Sequence, residues 1–275
     1  MGFSPKNELT KFLKEDVGKE DITSKLVINK KIKAKIITRE NCVVAGTNFA
    51  KQIFSLKGSK TKIIKSDGSY AKTNQTIIEI TGLSRSILMC ERTALNLLSR
   101  MSGISTQTNE LVKKIKTTKS KSQLFATRKT VPGLRFFDKE AVQIGGGQKH
   151  RMQLDEMVMI KDNHIVVHNS ISKLIKKARK KYRKIEVEVD NQKDAIIAAE
   201  LGASIIMLDN FTAKKIIQTI NKLEKLGLRK KVKLEASGRI NLNNIQSYAK
   251  TGVDMISVGS ITSSPKSIDM SLEIS

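Results

Sequence analysis

Short apolar runs alternate with amphipathic segments through the second half of the chain. The runs are QLFAT (123–127), MVMIK (157–161), IEVEV (185–189), IIMLD (205–209), VKLEAS (232–237) and MISVGS (255–260). Because nearly every position in them is apolar, they predict parallel strands buried on both faces. The segments after the later runs have helical spacing and end near Gly202, Gly227 or Gly252, as helix C-termini often do. This rhythm predicts an α/β fold, and the number of repeats favours a closed barrel over an open sheet.

The first part of the chain has a mixed pattern. It predicts, in order, a helix over 8–16, strands over 31–39 and 42–46, a short helix over 48–58, β segments over 61–66 and 76–80, and a long helix from Ser84. The pattern changes near residue 105, and 275 residues suffice for one large α/β domain or two smaller ones. No GxGxxG motif follows the first strand, which argues against a dinucleotide-binding fold.

The composition excludes several classes of protein. Hydrophobic residues make up 39% and charged residues 28%, which is typical of a globular protein rather than a disordered one. No apolar run approaches the ~18 residues of a membrane helix, and the first residues lack the apolar core of a secretory signal. Cys42 and Cys90 form neither a CxxC motif nor a disulfide framework. We therefore predict a reduced, cytoplasmic protein without a membrane partner.

The net charge of +25 raises the question of nucleic-acid binding. Aromatic residues are only 4% and tryptophan is absent, so side chains that stack on bases are scarce. Many lysines occupy helix faces, as in 172–184, where the positions expected to point inward are Leu174, Ile175, Ala178 and Tyr182. Such basic faces support salt-sensitive contacts without sequence preference. We therefore predict no specific nucleic-acid partner, and anionic small substrates also suit a positive protein.

Polar residues follow the predicted strands, one strand after another. They are Arg128-Lys129, Lys161-Asp162, Glu188, Asp209, Ser237-Gly238 and Gly259-Ser260. In α/β barrels the reactive side chains come from these carboxyl ends of the strands. Each residue alone is explained equally well as an edge charge or a helix cap. Their repetition from strand to strand favours a functional site.

The last two strand ends contain small residues, and the two before them contain carboxylates. The turns at 237–238 and 259–260 each precede a predicted helix, so they predict phosphate sites, although glycine turns between elements are also common. Glu188 and Asp209 suit Mg²⁺ or ribose hydroxyls, because hard cations prefer carboxylate oxygen. A pyrophosphate leaving group needs such a metal ion.

The cations of this part of the chain predict a different ligand. They are Arg128, Lys129, Arg151 and Lys161. A guanidinium group matches a carboxylate with two parallel hydrogen bonds, and lysine adds a point charge. The set therefore predicts a substrate with more than one carboxylate.

The histidines His150, His164 and His168 lie close together in the sequence. The HIVVH spacing of the last two could bind zinc on a helix, but the segment is β-branched and lacks a third ligand, so we predict no zinc site. His150, which precedes Arg151, is expected to donate a hydrogen bond to an anion.

Longer motifs join these residues into a known pattern. They are ERTALNLLSRMSGI (91–104), TRKTVPGLR (127–135), AVQIGGGQKHRMQLDEMVMIKDNHI (141–165), EVEVD (186–190), IMLDNF (206–211), LEASG (234–238) and TGVDMISVGSIT (251–262). This set resembles the quinolinate phosphoribosyltransferases, or nicotinate-nucleotide pyrophosphorylases (carboxylating), over nearly the whole chain and least before residue 80. The resemblance implies a seven-stranded α/β barrel of the type II phosphoribosyltransferase kind over 106–263. An α+β sandwich domain over 1–105 would precede it, and a tail over about 264–275 would return to that domain.

The resemblance also implies a reaction. Quinolinate and phosphoribosyl pyrophosphate would give nicotinate mononucleotide, pyrophosphate and carbon dioxide, with Mg²⁺, in de novo NAD biosynthesis. Quinolinate is a pyridine dicarboxylate, which agrees with the predicted ligand of the cations. Its ring nitrogen would attack the anomeric carbon without a general base.

Roles for individual residues follow from the same resemblance. Dicarboxylate binding would fall to Thr127, Arg128, Lys129, His150, Arg151 and Lys161. Arg92 would reach this pocket from a neighbouring subunit of a homodimer or homohexamer. Ribose and magnesium pyrophosphate would contact Glu188 and Asp209, and phosphate groups would contact Ser237, Gly238, Arg239, Val258, Gly259 and Ser260. The catalytic residues would be Lys129, Lys161, Glu188 and Asp209.

Four positions depart from the family pattern. Ala126 stands where an acidic residue usually precedes TRKT, and Lys149 replaces the usual asparagine before His-Arg. Ser263 occupies a position often held by histidine. Arg239 stands where a second glycine usually follows Ser-Gly, and it either adds a phosphate contact or crowds the backbone approach. These changes affect substrate affinity more than the type of reaction.

Two other functions compete with this one. A relative of the same family, such as the molybdenum-associated proteins, would act on another ligand, but the retained KDNH and both substrate arginines argue against it. A basic nucleic-acid-binding protein without catalysis would bind one sequence tightly at high salt.

Overall fold

The computed structural model of the protein describes residues 3–274. The helices are α1 (Pro5–Val17), α2 (Thr47–Ser55), α3 (Ser84–Thr117), α4 (Arg135–Ile144), α5 (Asp162–His168), α6 (Ile171–Arg179), α7 (Gln192–Glu200), α8 (Ala213–Lys225), α9 (Ile245–Ala249) and α10 (Ser260–Ser263), with 3-10 helices at Ser24–Leu26 and Arg229–Lys231. The strands are β1 (Lys31–Thr38), β2 (Cys42–Val43), β3 (Lys60–Ile63), β4 (Tyr70–Ala71), β5 (Thr76–Leu83), β6 (Gln123–Phe125), β7 (Val158–Ile160), β8 (Ile185–Val189), β9 (Ile205–Asp209), β10 (Lys233–Ser237), β11 (Met255–Ser257) and β12 (Met270–Ile274). These elements form two compact units, one of residues 3–109, 131–146 and 264–274 and one of residues 110–130 and 147–263.

The first unit is an α+β sandwich built on an antiparallel sheet of four strands in the order β12-β1-β5-β3. In β1 the buried Ile36 pairs with Ile78 on one side and with Leu272 on the other. The last strand of the chain therefore forms an edge of the sheet that the early strands begin. A second, two-stranded ladder joins β2 and β4.

Residues 131–146 pack within the first unit, which differs from the predicted division at 105/106. The ring of Phe137 on α4 lies 5.0 Å from the ring of Phe49, with the two planes nearly perpendicular. Arg100 donates to both oxygens of the buried Asp138, at 2.7 and 2.8 Å. Contacts between segments so distant in sequence leave no mark on local hydrophobic periodicity.

The second unit contains six parallel strands in the order β6-β11-β10-β9-β8-β7, which confirms the α/β class. Gln148 forms a parallel bridge with Phe125 of β6 and so adds a short segment at that edge. Within residues 3–274 no strand pairing joins Gln148 to β7, so closure of the barrel stays a prediction.

The helices of the second unit cover the strands with one apolar face each, as in α6. Ile175 is fully buried there, whereas the lysines of α6 are exposed. Tyr182 is 53% exposed, contrary to the inward orientation predicted for it. The reason is that α6 ends at Arg179, so the helical period no longer applies three residues later. None of the helices in the described part of the chain is both long and apolar enough to cross a membrane.

Candidate active site

A cavity of about 520 Å³ opens at the carboxyl ends of the parallel strands. Its walls are Ala126, Thr127, Arg128, Lys129, His150, Arg151, Met159, Lys161, Glu188, Met207, Asp209, Glu235, Ser237, Gly238, Arg239, Ile240, Ser257, Gly259, Ser260 and Ser263. The set includes every site residue predicted from the sequence except Arg92 and Val258. All the lining residues belong to the second unit.

The register of the sheet explains why these side chains meet. Asp209 at the end of β9 pairs with Ser237 at the end of β10, and Glu188 of β8 pairs with Met207. Paired residues on adjacent strands point to the same face, and so do alternate residues along one strand. Residues at the strand ends therefore converge, and Glu235 lies two positions below Ser237 on the same face.

Arginines form one side of the cavity. Arg151 donates to the carbonyl of Met157 at 3.1 Å and to the sulfur of Met159 at 3.2 Å. Burial lowers the pKa of Arg151, and the like charge of Arg128 lowers it further. Arg128 has a buried Nε that finds no acceptor among the described residues. Because a guanidinium stays charged at any physiological pH, this arrangement favours an anion between the two groups.

A lysine and two carboxylates form the middle of the cavity. Lys161 Nζ contacts Glu188 Oε2 at the ends of β7 and β8. Asp209 accepts a 2.6 Å hydrogen bond from the amide of Asn210. It has no ion-pair partner in the part of the chain that the structure describes. Two carboxylates on neighbouring strands, one of them not neutralised, suit a hydrated cation or ribose hydroxyls.

The turn after β10 has the shape of an anion-binding loop. Gly238 (φ 99°) lies against Asn210, and a Cβ on it would be 2.3 Å from Asn210 Oδ1 and 2.7 Å from the backbone nitrogen. Arg239 is also left-handed (φ 52°), and its carbonyl accepts from Asn244 Nδ2 at 3.1 Å. Tight turns can direct backbone N–H groups at an anion, and glycine at 238 keeps this turn free of a side chain that would displace Asn210.

Helix N-termini contribute less here than the sequence predicts. The helix after the first turn, α9, begins only at Ile245 and has five residues, and α10 after the second turn has four. Such short helices have a small dipole, so any phosphate binding depends on the turns themselves. At Gly259 an added Cβ would lie 3.2 Å from Lys129 Cδ, so glycine leaves room for that lysine to cross the turn.

His150 contacts other residues of the protein through both of its ring nitrogens. Its Nε2 lies 3.2 Å from Glu235 Oε2 and 3.3 Å from Glu186 Oε2, and its Nδ1 accepts from the Arg151 N–H at 2.8 Å. Both ring nitrogens thus have partners within the protein, and a direct hydrogen bond from His150 to a ligand stays a prediction. Burial by itself lowers the pKa of His150, but the hydrogen bonds to the two carboxylates outweigh burial and raise it to about 9. A proton on Nδ1 removes its ability to accept, so the 2.8 Å contact with the Arg151 N–H belongs to the neutral ring, whereas the raised pKa favours the doubly protonated ring.

The sequence of the chain matches the models of two known protein domains. Residues 21–102 match the N-terminal domain, and residues 104–273 the C-terminal domain, of quinolinate phosphoribosyl transferase. The chain belongs to the quinolinate phosphoribosyltransferase family.

Relatives and solved structures agree with this assignment. A probable nicotinate-nucleotide pyrophosphorylase (carboxylating) from Methanocaldococcus jannaschii is 44% identical over 273 residues, which cover 97% of this chain and 95% of the relative. One of the same description from Methanothermobacter thermautotrophicus is 41% identical and covers 97% of each chain. The solved nicotinate-nucleotide pyrophosphorylase of Francisella tularensis superposes with a TM-score of 0.91 at 39% identity, covering 99% of this chain and 98% of that one.

Two residues that the family pattern assigns to the site lie elsewhere. Arg92 is exposed on α3 in the first unit and is absent from the cavity wall. Val258 is buried, and its N–H donates to the Phe125 carbonyl at 3.2 Å, so only its neighbours Ser257 and Gly259 reach the cavity.

Three of the four positions that depart from the quinolinate phosphoribosyltransferase pattern line the cavity: Ala126, Arg239 and Ser263. Arg239 keeps a left-handed backbone, which a glycine adopts freely and an arginine only at a cost of about 1 kcal/mol. Its side chain is exposed. The turn therefore keeps the shape that a second glycine would allow, while it gains a cation at the cavity.

The sequence analysis missed the acids around His150. Glu186 and Glu235 are both 0% exposed, and Ser257 donates to Glu235 Oε1 at 2.5 Å. The available signal was a glutamate inside an otherwise buried strand, since a charged residue is almost never fully buried unless it has a partner.

Proposed function

We propose that the protein transfers the phosphoribosyl group of phosphoribosyl pyrophosphate to quinolinate, with release of pyrophosphate and carbon dioxide, to form nicotinate mononucleotide in NAD biosynthesis. The observation that carries the proposal is that cations suited to a dicarboxylate and a turn suited to a phosphate line one cavity. Membership of the family supports the same reaction.

The dicarboxylate end is formed by Arg128, Arg151 and Lys161. A dianion between the two guanidinium groups replaces repulsion by attraction, and it gives the buried Arg128 Nε an acceptor. Charge-assisted hydrogen bonds of this kind are roughly twice as strong as neutral ones. A pyridine with one carboxylate would leave part of this charge unpaired, so the site favours quinolinate over nicotinate.

The sugar phosphate binds at the opposite side, against the turn of Ser237, Gly238 and Arg239. Backbone N–H groups and the Arg239 guanidinium supply donors to phosphate oxygens. Lys129 crosses the turn at Gly259 and adds a second positive charge there. With both substrates held, the ring nitrogen faces the anomeric carbon, and attack becomes effectively unimolecular.

The phosphoribosyl transfer needs charge stabilisation and no general base. As pyrophosphate leaves, positive charge grows on the ribose ring, and the carboxylates of Glu188 and Asp209 stabilise it. The product nitrogen is then cationic and stabilises the carbanion left on the neighbouring ring carbon when carbon dioxide departs. That carbon takes a proton from solvent to give nicotinate mononucleotide. Lys161 contacts Glu188 and so holds that carboxylate in position.

The donor set fits Mg²⁺. Glu188 and Asp209 would hold the ion together with the pyrophosphate, and Asp209 is the carboxylate without a cationic partner in the described chain. The ion would neutralise negative charge on the leaving group.

We also propose that the active site is shared between subunits of a homodimer or homohexamer. Arg92 is exposed and absent from the cavity wall, so it acts on the cavity of a second copy. Mixing Arg92→Ala chains with Lys161→Ala chains should restore part of the activity, because one site in a mixed dimer is intact. A verified mixed oligomer without activity contradicts sharing.

One assay tests the reaction. The protein is offered quinolinate, nicotinate or nicotinamide with phosphoribosyl pyrophosphate and Mg²⁺, and pyrophosphate and carbon dioxide are measured. We expect turnover of quinolinate alone, with equal amounts of both products. Lys161→Ala should abolish turnover, whereas Lys176→Ala, an exposed position on α6, should not change it. Turnover of nicotinate without quinolinate would favour a relative with another substrate.

Nucleic-acid binding is the second candidate, supported only by the net charge of +25. Binding that survives high salt and prefers one sequence would support it. A cytoplasmic location remains a prediction from the cysteine content.

A further inference from the structure

A hydrogen-bonded chain of buried polar groups forms part of the cavity wall. Glu235 on β10 is 0% exposed, Ser257 on β11 is 3% exposed, and the His150 side chain is 7% exposed. A charged side chain is almost never buried this deeply without partners that hold it. The chain is thus a built feature of the site, and its members Glu235 and Ser257 have no role in the proposed reaction.

Glu235 accepts from two directions. Ser257 Oγ donates to Oε1 at 2.5 Å, and His150 Nε2 donates to Oε2 at 3.2 Å. A carboxylate offers only acceptors, so both donors can be satisfied at once, which a glutamine cannot do without turning one donor away. Glu235 therefore fixes the plane of the His150 ring from the strand side.

The other edge of the same ring holds the backbone of Arg151. Its N–H donates to His150 Nδ1 at 2.8 Å, and His150 itself has a left-handed backbone (φ 53°). A non-glycine residue keeps such a conformation only where its surroundings impose it, and strained residues of this kind cluster at functional sites. The contacts of the ring are what impose it here, and Arg151 is the next residue.

We propose that Glu235 is a positioning residue for the dicarboxylate: acting through His150, it sets the place of Arg151 in the cavity. This inference rests on the proposed function, because the dicarboxylate is the ligand that Arg151 would bind. The two oxygens of Glu235 accept hydrogen bonds from His150 and Ser257. Glu235 therefore orients these residues and does not contact the reacting atoms.

His150 and Glu235, together with Glu186 and without Ser257, have a rival use as a metal site, because their ligand atoms lie within 4.8 Å of one another. A neutral histidine that binds a metal through Nε2 must carry its proton on Nδ1. Here Nδ1 accepts the Arg151 N–H, so the observed backbone contact and a metal ligand exclude each other. The positioning role keeps every observed contact of the neutral ring.

The experiment compares Glu235→Gln and Glu235→Ala with Asp138→Asn, a matched removal of a 0% exposed carboxylate in the first unit. Steady-state kinetics are measured with each substrate varied. For Glu235→Gln we expect the KM for quinolinate to rise about tenfold or more and the KM for phosphoribosyl pyrophosphate to stay within about twofold, since one charge-assisted hydrogen bond is lost. Ser257→Ala, which removes only the second donor, should give a smaller rise of the same kind.

A purely structural role predicts another pattern. Equal increases in both KM values, or a lower thermal midpoint with kinetics like those of Asp138→Asn, would overturn the proposal. So would one tightly bound metal ion per chain in the isolated wild-type protein that Glu235→Gln loses. If Glu235→Ala does not fold, Glu235→Gln and Ser257→Ala still decide the question.

Failure of the proposed function is distinguishable from failure of this inference. Wild-type protein that does not turn over quinolinate refutes the function. Crystal structures of wild type and Glu235→Gln in one crystal form then test the inference alone. A displaced Arg151 guanidinium supports it, and an unmoved one overturns it.

Discussion

Arg100 in the first unit and Arg128 in the second unit show two uses of the same side chain. Arg100, 18% exposed, donates to both oxygens of Asp138, so its charge is balanced inside the protein. Arg128 lines a cavity, and its buried Nε has no acceptor among the described residues. A paired guanidinium stabilises a fold, whereas one with an unfilled donor is costly unless a ligand supplies the acceptor. The difference separates a structural from a functional arginine without reference to any relative.

The largest effect should come from Arg128→Ala. We expect kcat/KM for quinolinate to fall by about 10³-fold, because a charged partner of a desolvated carboxylate is lost. The free energy of unfolding should change by less than about 1 kcal/mol, since no carboxylate among the described residues forms an ion pair with Arg128. Steady-state kinetics and urea unfolding of one preparation measure both. If Arg128→Ala lost as much stability as a variant of the Arg100–Asp138 ion pair, the distinction between the two arginines would be wrong.

Arg100→Ala should show the opposite pattern. Burial raises the pKa of Asp138, and Arg100 opposes that rise through its hydrogen bonds and charge. Without Arg100 a carboxylate remains buried and unpaired, which costs about 3 kcal/mol of stability. Urea unfolding should detect this loss, and kcat/KM of the folded fraction should stay near the wild-type value. Arg100→Ala, Asp138→Ala and the double variant form a cycle, and additive costs would mean that the pair is not coupled.

The sequence predicts that Arg128 belongs to the site, but it does not predict the partner of Arg100. TRKT, HR and IKDNH put Arg128, Arg151 and Lys161 at strand ends, and the cavity brings them together. The partner of Arg100 is not predictable from local pattern, because Asp138 lies in a segment that the periodicity assigns to the other domain. The partners of His150 are not predictable for a similar reason: Glu186 and Glu235 lie on strands far away in sequence. Periodicity identifies elements, but side-chain partners across elements depend on register.

Two glycines extend the comparison to the backbone. Gly133 in the first unit and Gly238 in the second both have positive φ, but a Cβ at Gly133 meets nothing within 4 Å. Gly133→Ala should therefore cost only the backbone strain, about 1 kcal/mol. Gly238→Ala must also displace Asn210, so the phosphate turn changes shape, and the KM for phosphoribosyl pyrophosphate should rise about tenfold. Unfolding of the two variants measures the backbone strain, and kinetics measure the effect of the changed turn on substrate binding. If Gly133→Ala and Gly238→Ala changed the KM for phosphoribosyl pyrophosphate equally, the turn at Gly238 would have no role in phosphate binding.

The smallest effect concerns pH and compares His150 with the paired Asp138. The ring of His150 faces Glu186 and Glu235 on one edge and the Arg151 N–H on the other, and its pKa is raised from 6.5 to about 9. A raised folded-state pKa gives stability that is complete below pH 6.5 and disappears as the pH rises through 9. The free energy of unfolding should therefore fall between these two values in wild type. His150→Gln removes the titrating ring and keeps a donor for Glu235, so it should flatten this slope, whereas Asp138→Asn should leave it in place. If the free energy of unfolding of His150→Gln still falls between pH 6.5 and 9, the slope does not come from His150. The ring of wild-type His150 would then be neutral, with the unprotonated Nδ1 that the Arg151 contact needs.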